Sequence, residues 1–293
     1  MIGEEVWFEP RHPFRQGTRY SLLSTVGSAA PTELGSLVLP PVDQGAVSSV
    51  LEIYPTSPEI PLNNLKLYIC FSGPMSEGWS GRALQALDEE TREALEGVFL
   101  PMEPELWDPA RRRLTVLLDP GRIKRGLRAH LELGYPLRRG RRVAVVVGRG
   151  FRDAAGRPLL APAVRRYRVG PAVRRRVDPQ RWRWRWPAAP RAPLEVAFDR
   201  PLDHALLQRC ISVLDADGAA LPGDLGVPAG ERGVSFRPRT PWQRGARYRV
   251  TVDPHLEDLA GNSLRRVFDR DLSRPGNAPG RPEDFSLDFL CAW

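Results

Sequence analysis

Phe236-Arg237-Pro238-Arg239-Thr240-Pro241-Trp242-Gln243-Arg244-Gly245-Ala246-Arg247-Tyr248 is answered at the same spacing by Phe8-Glu9-Pro10-Arg11-His12-Pro13-Phe14-Arg15-Gln16-Gly17-Thr18-Arg19-Tyr20. A looser copy reads Tyr135-Pro136-Leu137-Arg138-Arg139-Gly140-Arg141-Arg142-Val143. In the two close copies the proline after the first aromatic ends a strand, because it has no N–H to give to a ladder. The central aromatic or leucine anchors the loop, glycine supplies a turn with φ > 0, and a new strand opens at the final Tyr or Val. β-rich runs follow each copy, at residues 21–26, 144–147 and 249–252. The unit is strand, loop, strand.

The second and third copies agree over a longer stretch. Leu65-Lys66-Leu67-Tyr68-Ile69-Cys70-Phe71 with Gly73-Pro74-Met75 answers Leu194-Glu195-Val196-Ala197-Phe198 with Arg200-Pro201-Leu202. Hairpin turns follow at Leu87-Asp88-Glu89-Glu90 and Leu214-Asp215-Ala216-Asp217-Gly218. Residues 151–159 match 256–264 as acidic-to-glycine turns, each leading into a closing strand, 165–169 or 266–272. Short alternating strands with regular turn signals predict an all-β fold of tandem Greek-key β-sandwiches. The 30 prolines and 26 glycines in 293 residues support this, since both disfavour helix interiors.

The repeats divide the chain into half a module over 1–44 and a module over 45–172, with an insertion near 106–134 that includes the basic run 119–126. A further module covers 173–272, and a tail covers 273–293. In the tail, Phe285-Ser286-Leu287-Asp288-Phe289 alternates as a half-buried strand does, and offers an added strand to the N-terminal fragment. Half a sandwich exposes its inner face and strand edges, so the reading expects upstream sequence that completes it and carries an export leader.

These residues resemble the bacterial Ig-like domain of the SbsA type, found in S-layer and other envelope proteins. The marks are the F-x-x-P-[ML] opening, the aspartate-to-glycine hairpin, the F-x-P-x-x-P-[WF]-x-x-G-x-x-Y middle and the D-x-A-G-N-x-L ending. The resemblance covers about residues 47–272 plus the N-terminal half module, and the third copy carries it best. It implies Ig-like sandwiches in a cell-envelope setting. It carries no catalytic residue and no cofactor.

Composition narrows the function. The net charge is +8 and the pI about 10.0. Yet the basic residues are nearly all arginine, with Lys66 and Lys124 the only lysines, as GC-rich codon usage dictates. The charge is therefore a weak signal, and no nucleic acid is expected as a partner. Cys70, Cys210 and Cys291 form no C-x-x-C pair, which excludes a zinc knuckle or a thioredoxin-like motif and implies no disulfide framework. No apolar run approaches a membrane span, so no transmembrane segment is expected. Met1-Ile2-Gly3-Glu4-Glu5 lacks the basic and apolar regions of a signal peptide.

The candidate ligand-binding residues are Trp182, Arg183, Trp184, Arg185 and Trp186. On a strand the tryptophans share one face and the arginines the other. A tryptophan row stacks on sugar rings or nucleobases, while arginines meet anionic groups. The competing reading places the tryptophans in the core or at a seam between modules. The arginine-rich run 111–176 reads either as a polyanion site or as a solvated outer sheet face. Asp215, Asp217, Asp258 and Asn262 lack the further oxygens of an EF-hand and suit Asx turns, so no metal is expected. His12, His130, His204 and His255 have no metal-ligand spacing, and Gly78-Trp79-Ser80-Gly81 is not a nucleophile elbow. No catalytic assignment survives.

The leading expectation is a non-catalytic structural, spacer or adhesive protein, exported to the periplasm, cell surface or extracellular space. Its partners would be cell-wall or extracellular polysaccharide or another envelope protein, and it needs no cofactor. Two alternatives stand: a binding module for anionic polysaccharide acting through the Trp/Arg strand, and an accessory domain of a larger exported enzyme.

Overall fold

The computed structural model of the protein describes Pro10, Phe14 and residues 17–25, 30–39, 47–272 and 285–293. Over the described residues the fold is all-β. One sheet has the order β3 (Val50–Tyr54), β5 (Lys66–Phe71), β8 (Arg113–Leu117), β7 (Leu106–Trp107). It is matched by a sheet in the order β4 (Glu59–Pro61), β10 (Ala163–Gly170), β9 (Arg142–Val147), β6 (Leu84–Asp88). Alternation explains why these two sheets share a core. Leu67, Ile69, Leu114, Val116, Val143, Val145, Tyr167 and Val169 are buried in it, while Arg166 and Arg168 on β10 face water.

A second core lies between the sheet β11 (Arg183–Arg185), β12 (Leu194–Ala197), β15 (Gly233–Pro238), β14 (Gly223–Gly226) and the sheet β13 (Ile211–Leu214), β16 (Arg247–Val252), β17 (Phe285–Leu290). The α-helices are short: α1 (Ser80–Ala83), α2 (Pro120–Ile123), α3 (Arg128–Leu133) and α4 (His204–Cys210).

The repeated motif builds one hairpin geometry three times. Gly17, Gly140 and Gly245 have φ of 70°, 84° and 76°, a region open to glycine without steric cost. Their N–H groups donate to the carbonyls of Leu39 (3.0 Å), Val169 (2.8 Å) and Cys291 (2.8 Å). The strands then pair in the same register. Arg19 faces Val38 between β1 (Arg19–Ser24) and β2 (Thr32–Val38), Arg142 faces Arg168, and Arg247 faces Leu290. Leu137 and Trp242, at equivalent loop positions, are both 3% exposed. The acidic-to-glycine turns are also alike. Asp153 accepts hydrogen bonds from the N–H groups of Ala155 and Arg157, and Asp258 from those of Ala260 and Asn262.

The structure differs from the sequence reading in three places. Residues 266–272 form no strand; β17 closes the second core instead, pairing antiparallel with β16. The tail therefore belongs to the sandwich that the reading ended at 272. Second, the tail does not pair with the N-terminal fragment, because Phe289 and Cys291 are buried in the second core. The hairpin β1–β2 stands as a two-stranded sheet, with Leu22 and Leu34 62% and 66% exposed. Third, the insertion is shorter than 106–134. β7 and β8 belong to the first core's sheet, and only the segment holding α2 and α3, between β8 and β9, lacks a helical counterpart between β15 and β16.

A chain ending at residue 284 removes Phe289 and Cys291 from the second core. It is expected to bind a hydrophobic dye such as ANS and to gain a lower-temperature transition in calorimetry. An unchanged thermogram would restore a module boundary at 272.

Candidate functional site

The strand carrying Trp182 to Trp186 splits its two residue types between faces. Arg183, Trp184 and Arg185 pair with Ala197, Val196 and Glu195 of β12, which sends the indoles inward and the guanidiniums out. Trp182 is 5% exposed and packs on Phe198, with ring centroids 4.6 Å apart. Trp184 and Trp186 stack at 5.7 Å with planes 11° apart. They also meet the closing strand: Trp184 lies 6.2 Å from Phe285 and Trp186 4.7 Å from Phe289, both stacked. The tryptophan row is thus the seat of β17, with Trp182 buried and Trp184 and Trp186 half-buried.

The arginine face is open. Arg183 aligns with Ala197 and Gly233 across the sheet, and Arg185 with Glu195, Ser235 and Gly226. Small side chains make the floor of a trough of about 940 Å³, and Arg232 and Arg237 stand on its other side. Gly233 fits closely, since a Cβ there would lie 2.5 Å from the Val196 carbonyl oxygen. Arg185 pairs with Glu195 at 3.3 Å while its side chain stays 83% exposed. Among the described residues, no ion pair is formed by Arg183 or Arg237. Arg232 and Arg237 escaped the sequence reading because neither lies near the tryptophans in the chain; only the G-V-S-F-R alternation of β15 hints at an outward arginine.

A second concentration of polar groups lies between the two cores. The Asp203 carboxylate, 2% exposed, accepts hydrogen bonds from the Tyr68 hydroxyl (2.8 Å) and the Leu206 N–H, and pairs with Lys66 Nζ (2.9 Å). Lys66 also reaches Glu257 at 2.8 Å. Burial alone would lower the Lys66 pKa, but Asp203, Tyr68 and Glu257 hold it above that of an ordinary lysine. Burial, then the Asp203 charge, pushes the Tyr68 phenol up and keeps it a donor. Glu231, fully buried, accepts from the Thr56 N–H (2.8 Å), the Thr56 hydroxyl (2.5 Å) and the Ser57 N–H (3.2 Å).

Asp269 is fully buried and accepts from Asn63 Nδ2 (3.1 Å), Arg125 Nε (3.2 Å), Tyr135 Oη (2.8 Å) and Arg174 Nε (2.9 Å). The basic run after β8 therefore holds the 266–272 segment, whose Phe268 packs on the first core. Leu65 donates its N–H to Leu259 O at 2.8 Å, and a Cβ on Gly261 would lie 2.4 Å from Leu65 Cδ2.

The remaining candidates are absorbed by local structure. Asp215 accepts from the N–H groups of Asp217 and Ala219, and the Asp258 carboxylate also takes Arg200 Nε at 2.8 Å. Among the described residues, no three His, Cys, Asp or Glu side chains are grouped to hold a metal. Cys210 and Cys291 are buried free thiols, and Cys70 is half-buried and free. Several arginines of the 111–176 run are paired, Arg166 with Glu89 at 3.0 Å and Arg165 with Glu52 at 3.3 Å. No described helix is long and apolar enough to cross a membrane.

Residues 188–270, spanning β12 to β16, match the family model of the bacterial Ig-like domain. No curated protein matches the chain. Among solved structures, the S-layer protein SbsC overlaps 71% of this chain at 14% identity, with a TM-score of 0.30. The chain spans 24% of that protein's length. Native α-2-macroglobulin from Escherichia coli, over domains MG0-NIE-MG1, overlaps 71% of this chain and 67% of its own at 11% identity and a TM-score of 0.28. The BSP domain of a biofilm associated protein overlaps 78% of this chain and 30% of its own, at 9% identity and a TM-score of 0.23.

The two faces of β11 give opposite expectations on mutation. Trp182→Ala is expected to cost about 3–5 kcal/mol in urea denaturation, as a buried aromatic does. Arg183→Gln is expected to stay within about 0.5 kcal/mol of the parent.

Proposed function

We propose that this chain is a non-catalytic structural protein of the bacterial cell envelope, an exported fixed-angle spacer or adhesive scaffold made of tandem Ig-like modules. The modules of this reading are 45–172 and 173–293, the second completed by β17. The observation that carries it is the seam between the two cores. Asp203, Glu231 and Asp269 are each buried, and each takes hydrogen bonds from residues between 56 and 174. Withdrawing any one set of donors strands a carboxylate away from water, which costs several kcal/mol. Two sandwiches held in this way transmit direction as well as length, which suits a load-bearing or presenting element. The bacterial Ig-like match over 188–270 supports the envelope setting. Cell-wall or extracellular polysaccharide, or another envelope protein, is the partner this role calls for.

Asp269→Ala is expected to lower stability by about 2–3 kcal/mol, less than for a fully enclosed pair because Arg125 and Arg174 both reach solvent. Small-angle scattering should then show a wider distribution of dimensions for the variant than for the parent. An unchanged scattering curve with unchanged stability would remove the basis for a rigid spacer.

His204 stacks on Tyr54 across this seam, with centroids 3.6 Å apart. Burial lowers its pKa from the ordinary 6.5, against the opposing pull of Glu231, Asp203 and Glu52 and with help from Arg113. The unfolded chain then binds the proton more readily than the folded one. This contribution to stability is full above pH 6.5 and declines as pH falls towards the lowered folded value. Urea denaturation across this window should show a smaller pH dependence for His204→Gln than for the parent.

A further inference from the structure

We propose that the arginine-walled trough on the outer face of β11, β12, β15 and β14 is a binding site for an extended anionic polysaccharide. Three features of the trough point there. Arg183 and Arg185 stand on one wall and Arg237 on the other, with Arg232, bonded to the Asp199 carbonyl at 2.9 Å, at the end of β15, so charge lines both sides of a groove rather than one point. β11 and β15 are two strand positions apart, which at about 4.8 Å per strand leaves about 10 Å between the walls. A single small anion cannot bridge that span, whereas a chain with repeated charges can. Among the described residues, the carboxylates lining the trough are Glu195 and Asp224, fewer than the arginines, so the groove keeps a net positive charge. Between the walls the floor is Ala197 and Glu195 of β12, flanked by the small Gly233 and Ser235 of β15; Glu195 turns towards Arg185 at 3.3 Å, and the small residues let a chain lie against the sheet backbone.

The chemistry of the chain follows from what the face offers. Guanidiniums recognise sulfate and carboxylate groups through paired N–H donors. Trp184 lines the trough through its strand, while alternation turns its indole to the inner face, where it packs on Trp186 and Phe285. Single-stranded nucleic acid is held largely by stacking its bases on such rings. A saturated, charged polymer makes no such demand, and the trough favours it.

The test uses the full chain and fluorescence anisotropy with a labelled heparin oligosaccharide at low salt, alongside neutral dextran and single-stranded DNA. Combined Arg183→Gln, Arg185→Gln and Arg237→Gln is expected to weaken heparin binding by at least about tenfold. Ser235→Glu, which leaves every arginine in place and puts a negative charge on the floor, should weaken it in the same direction. Combined Arg138→Gln, Arg139→Gln and Arg142→Gln removes equal charge from exposed positions elsewhere and should change affinity by less than about twofold. Calorimetry on each variant separates lost binding from lost folding. Equal weakening by the two triple variants would show only net charge at work and overturn the site. So would no heparin binding by the parent at low salt. DNA bound as tightly as heparin, with the same response to the variants, would overturn the polysaccharide assignment.

Discussion

A carboxylate removed from water must find donors, and in this protein three of them find theirs across a seam. Asp203, Glu231 and Asp269 lie at the boundary between two cores and take hydrogen bonds from Tyr68, Thr56 and Asn63, with Asp203 also accepting the Leu206 N–H of the helix it caps. Much of the molecule follows from meeting that demand. Lys66 is one of only two lysines in the chain, and it is placed between Asp203 and Glu257. The helical segment after β8 looks like a surplus excursion until Arg125 and Tyr135 are seen on Asp269. The linker is held as well: Asn63 and Asn262 both donate to the Val173 carbonyl, at 2.8 and 3.0 Å.

Arginine serves two purposes here, and this is why its abundance was a poor guide. At the seam, Arg125 and Arg174 satisfy a buried charge and are tied to one geometry. On the outer sheet, Arg183 and Arg237 face solvent, and Coulomb forces around them are screened within about a Debye length. Both kinds of position hold the same residue type. Only the fold separates them.

What the sequence revealed was whatever depends on neighbours along the chain. The F-x-P, W and G spacing identified hairpins because proline and glycine impose their conformations locally. Alternation assigned the faces of the Trp182–Trp186 segment, since a strand leaves no other choice. Pairing over long distances was less legible. Phe285 and Phe289 marked a half-buried strand, but nothing in the tail's own residues says that its seat is the tryptophan row rather than the N-terminal fragment. The position of Asp269 was hidden for the same reason, because its partners come from residues 63, 125, 135 and 174. The trough suffered likewise: its walls are about 160 Å of extended chain apart in sequence yet only two strand positions apart in the sheet.

The placement of β17 also has a cost in time. Arg249 and Asp288 meet across β16 and β17 although 39 positions separate them, whereas the Asp253 carboxylate closes on His255 two positions away. Loop-closure entropy must be overcome before such a distant strand rewards its own docking, which slows the step. Until then β16 presents a bare edge and the tryptophan row a sticky face. A newly made chain is therefore most vulnerable to clumping in the interval before β17 docks, and helpers that shield sheet edges would act there.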